Sequence, residues 1–196
     1  MKAPGSPGLR LLAGLTALVL IAHALVLQEA SLSLSPGDGP PPAVAMSTRT
    51  VPLPGGGEPR CALEVTLAAD GGLPRLTVVS THLDVSSAES RASHAKQLAA
   101  DLAKRPELVL LGGDFNATPD APPLVAFGSP WLKPAKHGAN TATIPSAEPV
   151  REIDFILIKP ATDAAAPAVK DYRVIEEKVA SDHRPIVMAL EFPAAK

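Results

Sequence analysis

The chain alternates between short apolar runs and polar corners, and the spacing of those runs predicts its elements. CALEVTLA (61–68) and RLTVVSTHL (75–83) read as two strands. The ADGG turn between them predicts a hairpin. SSAESRASHAKQLAADLAKR (86–105) carries Ala95, Leu98, Ala99 and Leu102 at helical spacing. Ser86 followed by Glu89 is a capping-box pattern, Lys104 and Arg105 suit the negative end of the helix dipole, and Pro106 ends the helix. ELVLLG (107–112) is short and nearly all apolar, as in a strand buried on both faces. After a loop-rich stretch from Ala117 to Arg151, three more strands are predicted. They are EIDFILIK (152–159), DYRVIEEKV (171–179, an edge strand) and RPIVMALEF (184–192). Several strands with one clear helix predict an α+β or layered α/β fold.

The first 57 residues differ in kind. Lys2 and Arg10 flank the start, and Leu11 to Leu27 contains no Lys, Arg, Asp or Glu. A basic start before an apolar run is the pattern of a secretory signal, and Ala22-His23-Ala24 offers a small-x-small cleavage site. The run is also near the lower limit of about 17 residues for a spanning helix, so an uncleaved membrane anchor is the alternative; a buried core segment ranks third. The expectation is an exported or membrane-anchored chain facing the periplasm or the extracellular side. Ser31 to Gly57 is rich in Pro, Gly and Ser and reads as a linker. The expected organisation is therefore a signal or anchor at 1–30, a linker at 31–57 and one domain at 58–196.

Composition narrows the options. With 196 residues and 46% hydrophobic content, one cored domain is expected; aromatics are 3%, so Ala, Leu and Val must fill it. A net charge of −2 gives no global basic field for holding a nucleic acid, and few aromatics are left for base stacking. Cys61 is the sole cysteine, which excludes an intrachain disulfide and a multi-cysteine metal site.

Four polar pieces stand at strand boundaries: THLD (81–84), GGDFN (112–116), IDF (153–155) and SDHRP (181–185). Strand ends are where layered α/β folds keep their sites. Each residue has a bland reading. Asp114 and Asn116 suit a turn, His82 a satisfied core histidine, and Asp182-His183 a cap with a surface histidine. Asp154 is harder to dismiss, because a carboxylate inside IDFILI costs several kcal/mol unless paired. Together, these Asp, Asn and His residues form an oxygen-rich group suited to Mg²⁺ or a similar hard cation and to a phosphate.

STHLD, the helix with Arg91 and Gln97, LLGGDFNATPD, TIPSAEPVREIDFIL and SDHRPIVMALE occur in the order seen in the endonuclease/exonuclease/phosphatase superfamily. Residues 58–192 resemble the carboxy-terminal half of that domain, with Pro59-Arg60 matching a family Pro-Arg ahead of the hairpin. The TIPSAEP…IDFIL piece is similar to the branch of sphingomyelinase-like and other small phosphodiesterases. The resemblance implies a four-layer α/β/β/α sandwich with mixed, mainly antiparallel sheets, here incomplete, and Mg²⁺- (or Mn²⁺-) dependent phosphoester hydrolysis. It implies that Asp114 orients or activates the attacking water. Asn116 would hold that water and a phosphate oxygen. His82 would donate to the phosphate. Asp182 would bind metal. His183 would stabilise charge on the scissile phosphate, and Asp154 would orient His183 and keep it protonated. Arg91 would brace the site or meet solvent.

The family's first strand, ending in Asn, has no counterpart, since no Asn precedes Asn116. Gln28-Glu29 fits the second family motif, whose Glu is the principal metal ligand, but it is also the tail of the apolar helix. The helix is favoured here. Two functions are therefore carried forward. One is a metal-dependent phosphodiesterase or phosphatase acting on a small molecule or lipid headgroup rather than a nucleic acid. The other is a truncated, non-catalytic domain that binds a partner or is inactive.

Overall fold

The computed structural model describes residues 14–16, 45–55, 57–68 and 74–192. In chain order the elements are β1 (Gly14–Thr16), β2 (Ala45–Leu53), β3 (Arg60–Leu67), β4 (Leu76–His82), α1 (Ala88–Ala103), β5 (Leu108–Asp114), α2 (Pro122–Val125), β6 (Asp154–Lys159), β7 (Ala168–Val174) and β8 (Ile186–Glu191). Two sheets form, a five-stranded one in the order β2-β3-β4-β5-β6 and a three-stranded one in the order β1-β8-β7. Every pairing is antiparallel except β4 with β5, which α1 joins as a crossover.

Strand alternation sorts the core into two layers. Val79, Val109, Leu111, Phe115, Phe155 and Leu157 face α1 and α2, and pack on Ala95, Leu98, Leu102 and Leu124. Their sequence neighbours Leu76, Val78, Leu108, Leu110, Ile156 and Ile158 face the smaller sheet, and meet Tyr172, Ile186, Met188 and Leu190. The described residues thus build three layers, α/β/β, a mixed α/β fold with mainly antiparallel sheets. β5 is buried along its whole length, as its unbroken apolar run requires.

Three expectations are corrected. Ala45–Leu53, assigned to the linker, is instead an edge strand on β3. It buries Val51 and Leu53, and an edge strand tolerates Pro52, whose missing N–H breaks no second ladder. Gly14–Thr16, assigned to the apolar helix, pairs as a strand with the edge of β8, whose free backbone groups need partners. The rest of residues 1–30, Glu29 included, lies outside the described residues. The helix is capped by Ser87, not Ser86: its side chain accepts from the Ser90 N–H at 3.1 Å, and Lys104 is already the C-cap. Among the described residues no helix is long and apolar enough to cross a membrane.

Candidate active site

Register places the site. His82, Asp114 and Asp154 are Cα partners across β4, β5 and β6, so they form one row over three adjacent strands. Each is an even number of residues from Val78, Leu110 or Ile158, so all three share the face turned to the smaller sheet. The row closes the inter-sheet core with polar groups. Gly113 allows it: its φ is +149°, and a Cβ there would lie 1.8 Å from the Thr81 carbonyl oxygen. Only glycine lets β5 approach β4 this closely beside Asp114.

Beyond the row, the GDFN corner turns back on itself. The Asn116 N–H donates to Asp114 Oδ1 at 2.7 Å, an Asx turn, and Asn116 takes the left-handed region at φ 47°. Its amide nitrogen donates to the Leu83 carbonyl at 3.0 Å and to His82 Nε2 at 3.0 Å. The Leu83 carbonyl can only accept, which fixes the amide orientation and makes Nε2 an acceptor. Asp114 Oδ2 lies 3.3 Å from the same nitrogen. From the SDH loop, His183 Nδ1 meets Asp154 Oδ2 at 2.9 Å, and its Nε2 lies 4.0 Å from Asp114 Oδ2. Asp182 is exposed beside it, with its carbonyl accepting from the Ser146 N–H at 2.7 Å.

The electrostatics divide these groups. Burial first, and then the neighbouring Asp154 carboxylate, push Asp114 up to about 6. Burial, Arg60 and His183 push His82 down to about 4, so its contact with Asp114 joins a neutral imidazole to a carboxyl group and is not an ion pair. His183 goes the other way: the hydrogen bond to Asp154 raises it, against burial.

Asp114, Asp154 and His183 each offer a ligand atom, and these atoms lie within 4.8 Å of one another. Two carboxylates and an imidazole, with Asp114 raised partly by the carboxylate beside it, fit a divalent cation that would relieve that repulsion. Asp182 stands outside this compact group, and Glu29 outside the described residues.

A model of the endonuclease/exonuclease/phosphatase family matches residues 10–183. The chain belongs to that family. The match begins upstream of the expected domain start and takes in Glu29 and β2. No curated protein sequence matches the chain. Among solved structures, a functionally unknown conserved protein from Enterococcus faecalis V583 is 22% identical with a TM-score of 0.66, over 77% of this chain and 68% of that one. An endonuclease/exonuclease/phosphatase from Bacteroides vulgatus is 19% identical at a TM-score of 0.65, over 76% and 66%. A mannosyl-6-phosphatase from Bacteroides thetaiotaomicron is 17% identical at 0.63, over 76% and 67%. These likenesses establish the fold, and the chain spans about two thirds of the length of those structures.

Two polar contacts of this family member escaped the sequence reading. Thr143, fully buried, donates its hydroxyl to Asp154 Oδ2. Lys136, also buried, donates to the Asp154 carbonyl at 2.7 Å. Thr143 opens the TIPSAEP piece, so its place in a motif was visible. Its partner was not. Arg91 is a brace: it donates to the Asp84 and Val85 carbonyls at 2.8 and 3.1 Å. Asp84 itself accepts from the Ser86, Ser87 and Gly57 N–H groups, so it pins the turn that follows His82.

Proposed function

We propose that this chain is a metal-dependent phosphoester hydrolase of the phosphodiesterase or phosphatase type. One observation carries the reading. His82, Asp114 and Asp154 stand in a row on three strands, and Asn116 and His183 close on that row from two loops.

Asp114 is the group that takes the proton of the attacking water. A carboxyl held near 6 is ionised yet basic at neutral pH, the range in which a general base works well. Asn116 and neutral His82 hold the water and one phosphate oxygen. Asp154 fixes the His183 ring through Nδ1, and Nε2, 4.0 Å from Asp114 Oδ2, donates to the phosphate as negative charge gathers there. The Asp114 and Asp154 carboxylates would hold a divalent ion such as Mg²⁺ or Mn²⁺, with Asp182 and Glu29 as further ligands. When bound, that ion supplies Lewis-acid stabilisation of the phosphoryl oxygens. The net charge of −2 favours a small phosphoester or a lipid headgroup over a nucleic acid.

The test is hydrolysis of bis(p-nitrophenyl) phosphate and p-nitrophenyl phosphate by the purified chain with Mg²⁺ or Mn²⁺. Asp114→Ala and Asp182→Ala serve as controls. Metal-dependent turnover that both variants lose is expected. A folded chain without metal-dependent turnover on either ester would assign the domain to the non-catalytic alternative.

A further inference from the structure

β6 is the last strand of the five-stranded sheet, so its outer edge has no neighbouring strand among the described residues. Side chains and a single bridge supply the partners instead. Leu132 and Ile158 exchange backbone bonds at 2.7 and 3.0 Å. The Ile156 N–H donates to the Tyr172 hydroxyl at 2.8 Å. At the end of the row that carries the site, the Lys136 ammonium donates to the Asp154 carbonyl at 2.7 Å.

Lys136 is an unusual group to find there. Its side chain is 0% exposed. The ammonium lies 4.4 Å from the Phe155 ring centroid and 5.2 Å from that of Tyr172. Its counter-charge is Glu152, at 2.6 Å, whose second oxygen accepts from the Thr141 hydroxyl at 2.7 Å. Burying an ammonium is costly, and the edge of a strand can be closed by a neutral group, as the Tyr172 hydroxyl does by accepting from the Ile156 N–H. The bond to Asp154 joins this ion pair directly to the residue that grips His183.

We infer that Lys136 is a positioning residue: with Glu152 and Thr141 it locks the backbone of Asp154 so that the Asp154 carboxylate stays on His183 Nδ1. The inference rests on the proposed roles of Asp154 and His183, but its test does not depend on turnover alone.

The test compares the full chain with Lys136→Met, which keeps the length and bulk of the side chain and removes its donor. The first readout is the ring Nδ1–H signal of His183 in ¹⁵N-edited NMR, at matched far-UV circular dichroism. The wild type should show a hydrogen-bonded, downfield proton, and the variant should lose it. The second readout is turnover of bis(p-nitrophenyl) phosphate. Here kcat should fall about 10- to 100-fold with KM nearly unchanged, the size found when groups supporting a site are removed. A merely structural lysine would lower the melting temperature and leave both the signal and kcat in place, and that result overturns the inference. If Lys136→Met does not fold, Glu152→Ala takes its place. It removes one anchor of the ammonium and should weaken the same signal, and an unchanged signal there also overturns the inference. A wild type with the His183 signal but no turnover would refute the proposed hydrolase and leave the NMR comparison to decide on Lys136.

Discussion

Thr143→Val isolates one bond at the centre of the site. Thr143 is 0% exposed, and its hydroxyl donates to Asp154 Oδ2, the oxygen that also meets His183. Its backbone is tied separately: its N–H donates to the Arg151 carbonyl at 2.8 Å, and its carbonyl accepts from the Arg184 N–H at 2.7 Å. Valine has nearly the same volume and the same β-branch, so the substitution leaves no cavity and removes little besides the hydroxyl. A hydrogen bond to a charged acceptor contributes about 1.5–3 kcal/mol. Asp154 keeps His183 as a donor, so the lower part of that range applies, about 1.5–2 kcal/mol. For a chain of this size that corresponds to roughly 3–8 °C in Tm. Urea unfolding followed by circular dichroism, in metal-free buffer, measures it, with Thr143→Ser as the variant that keeps the donor and loses about 1 kcal/mol or less. A Thr143→Val stability within about 0.5 kcal/mol of wild type would refute the bond. So would losses of Thr143→Val and Asp154→Asn that simply add in the double variant, since groups in contact should couple by more than ~0.5 kcal/mol.

Gly113→Ala should cost about 3 kcal/mol or more and lower the fraction of folded chain in solution, because the new methyl would overlap the Thr81 carbonyl; a variant with wild-type unfolding would refute this account of the β4–β5 approach. The pH dependence of stability should expose two opposed titrations. Asp114, raised from 3.8 to about 6, contributes stability below pH 4 that is lost as pH rises towards 6, whereas His82, lowered from 6.5 to about 4, contributes stability above pH 6.5 that is lost as pH falls towards 4. The wild type should therefore be nearly flat between pH 4 and 6.5, while Asp114→Asn should gain stability with rising pH and His82→Asn should lose it, as measured by urea midpoints across that range. Mn²⁺ at 100 times its dissociation constant should stabilise the wild type by about 2.7 kcal/mol in thermal unfolding, and Asp114→Asn should lose most of that gain.

Local chemistry made much of this protein legible in its sequence. The period of Ala95, Leu98 and Leu102 marked α1, the unbroken apolar run marked β5 as buried, and the ADGG segment in the sequence predicted the antiparallel pairing of β3 with β4. These features depend on residues close in the chain. The polar pieces at strand ends were visible for the same reason, since an aspartate inside IDFILI is anomalous wherever the strand lies. Tertiary structure decided what those residues meet. β2 looked like linker because Pro and Gly surround it. It becomes a strand only because β3 offers an edge, and backbone pairing over eight Cα partners outweighs weak local propensity. The row of His82, Asp114 and Asp154 depends on the registers of β4 with β5 and of β5 with β6, which no single segment contains. Lys136 and Thr143 lie in a loop without periodicity, 18 and 11 residues before Asp154, and carry no local sign of their partners. The sequence by itself determined which side chains could do the chemistry, because residue type and strand-end position are local properties. Only the fold decided which of them share an oxygen or a proton, because hydrogen bonding acts over about 3 Å and depends on how distant segments pack.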